Sequence, residues 1–447
     1  MAQSSSSTNA PIVQSVTSNA APAASSQPLV SDGRRIQAVF FSRQSKYAVT
    51  DTPILVPTSL KRYGLSEIIG HLLNLGTPVP FDFIIDGQFI KSSLQHTIDA
   101  NSLSTESILR IEFVEASLPP KNTSVLQQDD WISAIKIHPS MPLILTGSYD
   151  NRTRVWTKSG QCIQTLSIHT APIKAVGWAH LASTAGTYIL SGSQDQTVSA
   201  FHISDDGKEA ALSYQCNDHR GSVESISVSS DAAFFATGSW DQTIRIWTTD
   251  PEDIEQTEVE RTSKKRQKLA VKKNIKTSET VLEGHAAAVT CVAFGPDSDN
   301  TTVYSGSLDH SVRVWDIQAQ SNISTMNCEK AINCLSFSKE SGLIVTGHSD
   351  NAVRLWDPRS KDGLVVKMKF VSHTNWVSCV SWSSTSAFNL ASGSYDSLVK
   401  VWDVRSSAAV YSLQGADAGN KVFGLDWSGD LLCTGGEDTK IHAFYRN

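Results

Sequence analysis

The stretch Gly306-Ser-Leu-Asp-His-Ser-Val-Arg-Val-Trp315 decides the fold, because variants of it occur seven times after residue 130. Each variant combines a short polar turn with an alternating apolar segment that is typical of a β-strand. The turn aspartates are separated by 45, 46, 68, 41, 46 and 42 residues along the chain. They are Asp150, Asp195, Asp241, Asp309, Asp350, Asp396 and Asp438. Repetition at such an interval indicates an array of similar structural units.

Five of the six intervals match the roughly 40–45-residue blade of a WD40 β-propeller, which contains four strands. The fold class is therefore predicted to be mainly β, with a seven-bladed WD40 propeller over residues 118–447. The last unit has only three strands before residue 447, so its fourth strand has to come from elsewhere. We expect that strand within Lys121–Gln128, where it closes the ring and removes an exposed sheet edge.

Polar residues recur at fixed places in these units. A Ser or Thr precedes the glycine, and in several units a His lies 22 to 26 residues before the Asp. Because buried polar groups need hydrogen-bond partners, we expect a His–Ser/Thr–Asp–Trp chain inside a blade. The recurrence argues against a catalytic triad, which occurs once in an enzyme. The expected members are His169, Ser191, Asp195, His219, Thr237, Asp241, Trp247, His285, Ser305, Asp309, Trp315, His373, Ser392, Asp396 and Trp402.

The interval of 68 residues predicts an insertion over residues 249–281. The insertion begins acidic and then turns strongly basic, with Lys264, Lys265, Arg266 and Lys268 close together. Its weak hydrophobic periodicity predicts a solvated loop. Two interpretations of the basic run stay open at this point. It is either a plain solvated loop, or a nuclear localisation signal or RNA-phosphate contact.

The residues before the repeats divide into a tail and a domain. Residues 1–33 are rich in Ser, Ala, Thr, Gln and Pro, which predicts disorder because they bury too little apolar surface to offset their ordering entropy. Residues 34–117 predict the order β-β-α-β-β-β of an α+β ubiquitin-like β-grasp domain. Ser59 is expected to cap its helix, Asp86-Gly87 to turn a hairpin, and Ile108–Val114 to form the last strand.

The composition excludes several classes of function. Hydrophobic residues make up 40% of the chain and the net charge is −6, so no global basic field attracts nucleic acid. Seven scattered cysteines without a Cys-x-x-Cys pair predict reduced thiols in a cytosolic or nuclear protein. No apolar run approaches the roughly 18 residues of a membrane helix. Without a phosphate loop, a metal cluster or an unrepeated triad, we expect no enzymatic activity, no cofactor, no metal of its own and no membrane contact.

Two stretches near the N-terminus extend this interpretation to a family. Leu60-Lys-Arg-Tyr-Gly-Leu-Ser-Glu-Ile-Ile69 and Pro78-Val-Pro-Phe-Asp-Phe83, followed by WD units, resemble the WD-repeat ribosome-biogenesis factors of the PeBoW complex (the Ytm protein family of yeast), with their Notchless-like N-terminal domain. The resemblance implies an assembly factor for the large (60S) ribosomal subunit and pre-rRNA processing, in the nucleus, nucleolus and nucleoplasm. The propeller would scaffold a complex with the block-of-proliferation WD-repeat protein and pescadillo on the pre-60S particle.

The same resemblance implies a role for one carboxylate. The ubiquitin-like domain would bind the adhesion (MIDAS) domain of midasin, an AAA ATPase that releases the factor from the pre-60S particle. The family pattern Leu-Ser-Ser-Glu matches Leu103-Ser104-Thr105-Glu106 with one Thr for Ser, so Glu106 would complete the Mg²⁺ shell in the partner's site. Two alternatives stay open: a ubiquitin-ligase substrate adaptor, and the sister Notchless protein, whose propeller is expected to carry an extra blade.

Overall fold

The computed structural model describes residues 34–44, 46–47, 49–116, 119–181, 186–204, 207–251, 255–261, 269–296, 301–360 and 366–446. The N-terminal part of this chain forms one five-stranded sheet and two helices. Their bounds are β1 (Arg35–Phe41), β2 (Ile54–Pro57), α1 (Arg62–Leu72), β3 (Phe81–Ile85), β4 (Gln88–Phe89), α2 (Leu94–Ala100) and β5 (Leu109–Glu115).

The strand order of this sheet is β2-β1-β5-β3-β4, with β1 and β5 parallel and every other pair antiparallel. Leu65 and Ile69 of α1 are buried in the domain core together with an aromatic group from the sheet. The rings of Phe81 and Phe113 meet edge to face at 5.5 Å, a favourable arrangement for aromatic pairs. A mixed sheet packed against a helix in this order is a β-grasp fold.

Two details of this domain differ from the sequence prediction. Helix α1 is preceded by Lys61 as its N-cap residue without a side-chain cap, so the prediction that Ser59 caps it is wrong. The chain stays extended to Lys61 because the Leu60 carbonyl accepts from Leu94 N and Lys61 forms a β-bridge with Ser93. Helix α2 was not predicted, although the Ser93 hydroxyl accepts from His96 N as an ordinary N-cap.

Strand β6 (Lys121–Gln127) follows, and the described residues after it form seven sheets that we number 1 to 7 in chain order. Sheet 1 consists of β7 (Ile132–Ile137), β8 (Leu143–Ser148), β9 (Thr153–Thr157) and β10 (Cys162–Leu166). Sheet 2 consists of β11 (Ile173–Leu181), β12 (Gly186–Ser193), β13 (Val198–Ile203) and β14 (Ala210–Cys216), extended by β18 (Glu255–Arg261) and β19 (Leu269–Lys276). Sheet 3 consists of β15 (Val223–Val228), β16 (Phe234–Ser239), β17 (Ile244–Thr248) and β20 (Thr280–Leu282), and sheet 4 of β21 (Val289–Phe294), β22 (Thr302–Ser307), β23 (Ser311–Asp316) and β24 (Ser321–Asn327).

Sheets 5 to 7 repeat the same antiparallel plan. Sheet 5 consists of β25 (Ile332–Phe337), β26 (Ile344–His348), β27 (Ala352–Trp356) and β28 (Met368–Val371). Sheet 6 consists of β29 (Val377–Trp382), β30 (Asn389–Ser394), β31 (Leu398–Asp403) and β32 (Tyr411–Gln414). Sheet 7 consists of β33 (Val422–Ser428), β34 (Leu431–Gly436), β35 (Lys440–Tyr445) and β6. The first strand of each sheet contacts the first strand of the next, and β33 contacts β7. The sheets therefore form a closed propeller.

The closure of this ring follows the sequence prediction. Strand β6 pairs antiparallel with β35 over Lys121–Gln127, so a segment from before the first unit supplies the outer strand of sheet 7. A core cluster joins the two ends of the chain, because Ile132 and Trp156 of sheet 1 pack with Leu431 and Ile441 of sheet 7. The prediction of a closing strand before the first unit is therefore confirmed.

The insertion is not the solvated loop that its composition suggested. Strands β18 and β19 form a hairpin whose register pairs Glu258 with Lys272, and β19 joins sheet 2 parallel to β14 at residues 275–276. Strand β20 also begins at Thr280, so the predicted boundary at residue 281 lies inside sheet 3. The loop prediction is wrong for these strands, because it rested on weak hydrophobic periodicity and the two segments pair as backbone strands without it.

Candidate functional site

A chain of four polar side chains crosses sheet 4. The Trp315 indole N–H donates to Ser305 Oγ at 2.7 Å, and Ser305 Oγ lies 2.7 Å from His285 Nε2. His285 Nδ1 lies 2.8 Å from Asp309 Oδ2. Because a carboxylate can only accept, Nδ1 carries the proton and Nε2 of the neutral ring accepts from the serine hydroxyl. Every link is therefore satisfied, from the buried Trp315, Ser305 and His285 to the partly buried Asp309.

The same chain occurs in sheets 3 and 6. In sheet 3, Thr237 Oγ1 lies 2.7 Å from His219 Nε2 and accepts from the Trp247 indole at 2.9 Å. His219 Nδ1 is 2.8 Å from Asp241 Oδ2. In sheet 6 the residues are His373, Ser392, Asp396 and Trp402, with links of 2.8 to 2.9 Å. The structure thus brings together twelve of the polar residues singled out from the sequence.

Sheet 2 keeps three of the four groups. His169 lies 2.9 Å from both Asp195 Oδ2 and Ser191 Oγ, and Phe201 takes the place of the tryptophan, so no indole donates to the serine. His169 Nε2 also lies 3.1 Å from the Ser191 carbonyl. This shorter chain offers a natural comparison with sheet 4.

Arginine replaces histidine as the partner of the turn aspartate in sheets 1 and 5. Arg154 donates to Asp150 at 2.5 Å, and Arg354 forms a two-bond pair with Asp350 at 2.6 and 2.9 Å. In sheet 7, His442 Nε2 lies 2.7 Å from Asp438 Oδ2. These partners were missed in the sequence, although each stands four residues after its aspartate.

The turn aspartates also fix the backbone of every unit. In each turn the residue after the Asp has a left-handed φ between 61° and 71°, and these residues are Asn151, Gln196, Gln242, His310, Asn351, Ser397 and Thr439. In sheet 4, Asp309 Oδ1 accepts from Ser311 N at 3.0 Å, which is the side-chain bond of an Asx turn. Asp309 Oδ2 accepts in addition from Ala286 N. The aspartate therefore ties the turn to the loop that carries the histidine.

The electrostatics of the chain favour a neutral histidine beside a charged aspartate. Burial raises the pKa of Asp309, but hydrogen bonds from Ser311 and His285 outweigh it and lower that pKa to about 2. Burial lowers the pKa of His285, although Asp309 opposes the shift. A neutral histidine held by a carboxylate could act as a base, but here its Nε2 faces a serine that also accepts an indole N–H. Sheets 3, 4 and 6 all repeat this arrangement, which stabilises each sheet.

Glu106 lies on an exposed loop of the N-terminal domain, between α2 and β5. Its backbone N donates to Ser104 Oγ at 3.3 Å, and Ser107 Oγ donates to the Ser104 carbonyl at 3.4 Å. Ile108, two residues after Glu106 in the sequence, is 49% exposed. The loop therefore carries an exposed carboxylate, which is a possible metal ligand, and an exposed apolar side chain two residues later. The basic residues Lys264, Lys265, Arg266 and Lys268 lie outside the described residues.

A buried charge cluster joins the N-terminal domain to the propeller. Arg405, after β31, donates to Glu112 of β5 at 3.4 Å and to Asp403 at 2.5 Å. The side chains of all three residues are at most 7% exposed. Arg43 adds a second cation 3.4 Å from Glu112. No periodicity in the sequence pointed to this contact, because its partners are almost 300 positions apart.

Both parts of the chain match known protein families. The family described as NLE (NUC135) domain matches residues 36–98. The family described as WD domain, G-beta repeat matches residues 120–157, 160–202, 211–248, 276–316, 320–357 and 365–403. These matches cover most of the N-terminal domain and six of the sequence units, and the last of them ends at residue 403.

Curated relatives extend along nearly the whole chain. A Nematostella vectensis protein named ribosome biogenesis protein WDR12 homolog is 35% identical over 421 residues, which cover 92% of this chain and 99% of that protein. A protein of the same name from Ixodes scapularis is 36% identical over 426 residues, 92% and 98% of the two chains. The chain belongs to the WDR12 family of ribosome biogenesis proteins. Its membership confirms the resemblance seen in residues 60–83 and in the repeats. None of the helices among the described residues has the length and apolar character needed to cross a membrane.

Proposed function

We propose that this WDR12 family member is a non-enzymatic assembly factor for the large ribosomal subunit, located in the nucleolus and nucleoplasm. The observation that carries the proposal is the similarity to ribosome biogenesis proteins over 92% of the chain, through both domains. A scaffold role for the propeller is supported by its recurrent polar side chains, which hydrogen-bond to one another within sheets 3, 4 and 6. No cofactor is expected.

The propeller, in this proposal, joins the block-of-proliferation WD-repeat protein and pescadillo on the pre-60S particle. The test is affinity purification of the tagged full chain from nuclear extract, with quantitative mass spectrometry of the bound proteins. We expect both partners together with large-subunit ribosomal proteins. Enrichment of a cullin complex without these proteins would instead favour a ubiquitin-ligase adaptor. Absence of both partners from particles that still contain the chain would favour the role of the sister Notchless protein.

The N-terminal domain, in the same proposal, binds the adhesion domain of midasin through Glu106. Three features of the loop support this: Glu106 is exposed, the Ser104 hydroxyl accepts from its backbone N–H, and the apolar Ile108 two residues later is exposed as well. Mg²⁺ prefers hard oxygen ligands in near-octahedral geometry, and a carboxylate on a held loop can fill an open position in the partner's site. The ion would belong to the partner, and Glu106 would supply one oxygen to it.

This contact can be tested with the purified full chain and the purified midasin adhesion domain. Glu106→Ala and Glu106→Gln should weaken binding at least tenfold, which corresponds to 1.4 kcal/mol. Removal of Mg²⁺ with a chelator should have the same effect on the unaltered chain. Glu106→Asp should also weaken binding, because it withdraws the carboxylate by one methylene. Glu67→Gln, which alters an exposed carboxylate of α1, is the control and should bind normally.

Two outcomes separate the parts of this proposal. Metal-independent binding by Glu106→Ala at the original affinity would refute the assignment to Glu106. Normal recovery of the propeller's partners with the same variant would still support the scaffold, because that contact lies in another domain. In cells, the variant is expected to be dominant, since it enters the particle but resists removal by the ATPase.

The basic run is proposed to direct the chain to the nucleus or to contact RNA phosphates. Its support is the clustering of four cations over residues 264–268, which is typical of localisation signals and phosphate contacts. Changing Lys264, Lys265, Arg266 and Lys268 to Gln together should reduce nuclear accumulation or salt-sensitive RNA crosslinking. Unchanged localisation and unchanged crosslinking would leave the run without either role.

A further inference from the structure

One mouth of the central channel carries a group of aromatic side chains that belong to none of the hydrophobic core clusters of the sheets. We call this group the aromatic rim; it consists of Trp131, Tyr149, Trp376, Tyr395 and Phe423. The rings form a continuous chain with centroid separations of 5.5 to 6.1 Å. Trp131 is 40% exposed and Trp376 is 51% exposed, although large aromatic side chains gain most from burial.

The sequence repeat explains where the rim lies. Tyr149 and Tyr395 each occupy the variable position between the Gly-Ser and the Asp of a unit, and their backbone N–H groups donate to the carbonyls of Trp131 and Trp376. Sheets 1 and 6 therefore present the same Trp–Tyr pair, and Phe423 of sheet 7 lies between them. The variable position lies at the channel mouth, and the repeated structure does not require a particular residue type there.

The rim borders a cavity and two ammonium groups. The cavity has a volume of about 330 Å³ and is lined by rim residues and by Lys174. Lys174 Nζ lies 4.9 Å from the centre of the Tyr149 ring and donates to its hydroxyl at 2.9 Å. No carboxylate lies within ion-pair distance of Lys174 among the described residues. Lys421 Nζ, on the other flank, lies 3.7 Å from Glu437.

The aromatic rim favours a protein over a nucleic acid. Exposed Trp and Tyr with few unpaired charges are typical of the centre of a protein interface, where such residues contribute most of the binding energy. Single-stranded RNA needs a positive path for its phosphates. Here Glu224 lines the same cavity, and Glu437 already neutralises Lys421. Of the two lysines beside the rim, only Lys174 has no carboxylate within ion-pair distance among the described residues, so the complementary group is an acidic side chain.

We infer that the aromatic rim is the docking surface for a protein segment that presents apolar side chains to Trp131 and Trp376 and a carboxylate to Lys174. This inference deepens the proposed function, on which it rests, by assigning the propeller surface that holds a partner. The rim spans sheets 6, 7 and 1, on the side of the ring where β6 closes the chain. The neighbouring cavity has room for a side chain of the bound segment.

The first test measures binding of the purified full chain to the purified block-of-proliferation WD-repeat protein by calorimetry. Trp376→Ala and Lys174→Glu should each raise the Kd at least tenfold, and Lys174→Glu should abolish the dependence of the Kd on salt that comes from this ion pair. Ile323→Ala alters a side chain of β24 that is 59% exposed, and it serves as the matched control with an unchanged Kd. Melting curves should be unchanged for all three variants.

The second test does not depend on the identity of the partner. A photo-crosslinking amino acid replaces Trp376 in the full chain expressed in cells, with the same replacement of Ile323 as control. We expect crosslinks from position 376 to one acidic and apolar segment of another protein, and their loss when Lys174→Glu is added. Crosslinks to RNA, to a second copy of this chain, or to nothing would overturn the inference.

The two tests separate the inference from the proposed function. If the unaltered chain fails to bind the block-of-proliferation protein while position 376 crosslinks one such segment elsewhere, the named partner is wrong and the rim assignment stands. If the partner binds the unaltered chain, Trp376→Ala and Lys174→Glu with equal affinity, the scaffold stands and the rim assignment fails.

Discussion

Ser305→Ala tests whether the polar chains stabilise the propeller. Ser305 is fully buried, and its hydroxyl serves both the Trp315 indole and the His285 ring. The substitution removes one oxygen and little volume, so packing changes are small. It leaves an indole N–H without an acceptor and a ring nitrogen without a donor, both out of contact with water.

The structure supplies an internal comparison for the magnitude. A buried polar group left without a partner costs about 1–3 kcal/mol, so two such groups should cost Ser305→Ala about 2–6 kcal/mol. Ser191→Ala in sheet 2 leaves only the His169 ring nitrogen without a donor, because Phe201 carries no N–H in the place of the indole. We therefore expect Ser191→Ala to cost less by about 1–3 kcal/mol.

The assay is urea unfolding of the full chain, followed by tryptophan fluorescence and by circular dichroism. The expected order of the free energy of unfolding is the unaltered chain, then Ser191→Ala, then Ser305→Ala. Equal losses in the two variants would refute the reasoning, because the indole bond would then contribute nothing. A larger loss for Ser191→Ala would refute it as well.

Three further predictions concern closure, acidity and the domain contact. Deleting residues 121–127 should lower the Tm by several degrees, because β35 then has an open edge; an unchanged Tm would contradict the closure. Burial lowers the pKa of both His138 and His348 to about 4 from 6.5, so the unfolded chain binds more protons as pH falls below 6.5. Stability should then drop between pH 6.5 and 4 by up to about 3 kcal/mol for each residue, measured as unfolding free energy, and a flat profile would exclude this. Arg405→Ala leaves buried Asp403 without its cation and Glu112 with Arg43 as its remaining cation, and it should cost about 3–5 kcal/mol in thermal unfolding; an unchanged transition would show that the cluster adds no stability.

The repeats made most of the propeller predictable, because the strands and the turn inferred for one unit can be transferred to every other unit. The interval between turn aspartates predicted the units, and the missing fourth strand of the last unit predicted β6. The hairpin of β18 and β19 was not predictable from hydrophobic periodicity, since its register pairs an acidic strand with a basic one. Helix α2 was overlooked although Ser93 marks its start, because the helix has only seven residues.

The polar chains were predictable where the unit kept its usual residues and not where it departed from them. Histidine stands far from its aspartate in sequence, but the repeat makes that distance nearly constant. In sheets 1 and 5 the partner is an arginine that extends from the neighbouring strand, and only the three-dimensional structure shows that Arg154 and Arg354 take over this place. The contact of Arg405 with Glu112 depends on how two separate domains meet, which no local pattern encodes.

Strand β6 has a mechanical consequence as well as a structural one. Five residues separate its first residue, Lys121, from Glu115, which ends the central strand of the N-terminal domain. Once the contact of Arg405 with Glu112 is broken, tension applied to that domain reaches the propeller at the end of the strand that holds the ring closed. Because β6 is the outermost strand of sheet 7, the load falls on its hydrogen bonds with β35 before it reaches the core between the sheets. A pull from the N-terminal side thus opens the ring at one defined seam, whereas the same force on an inner strand has to break the packing on both of its faces.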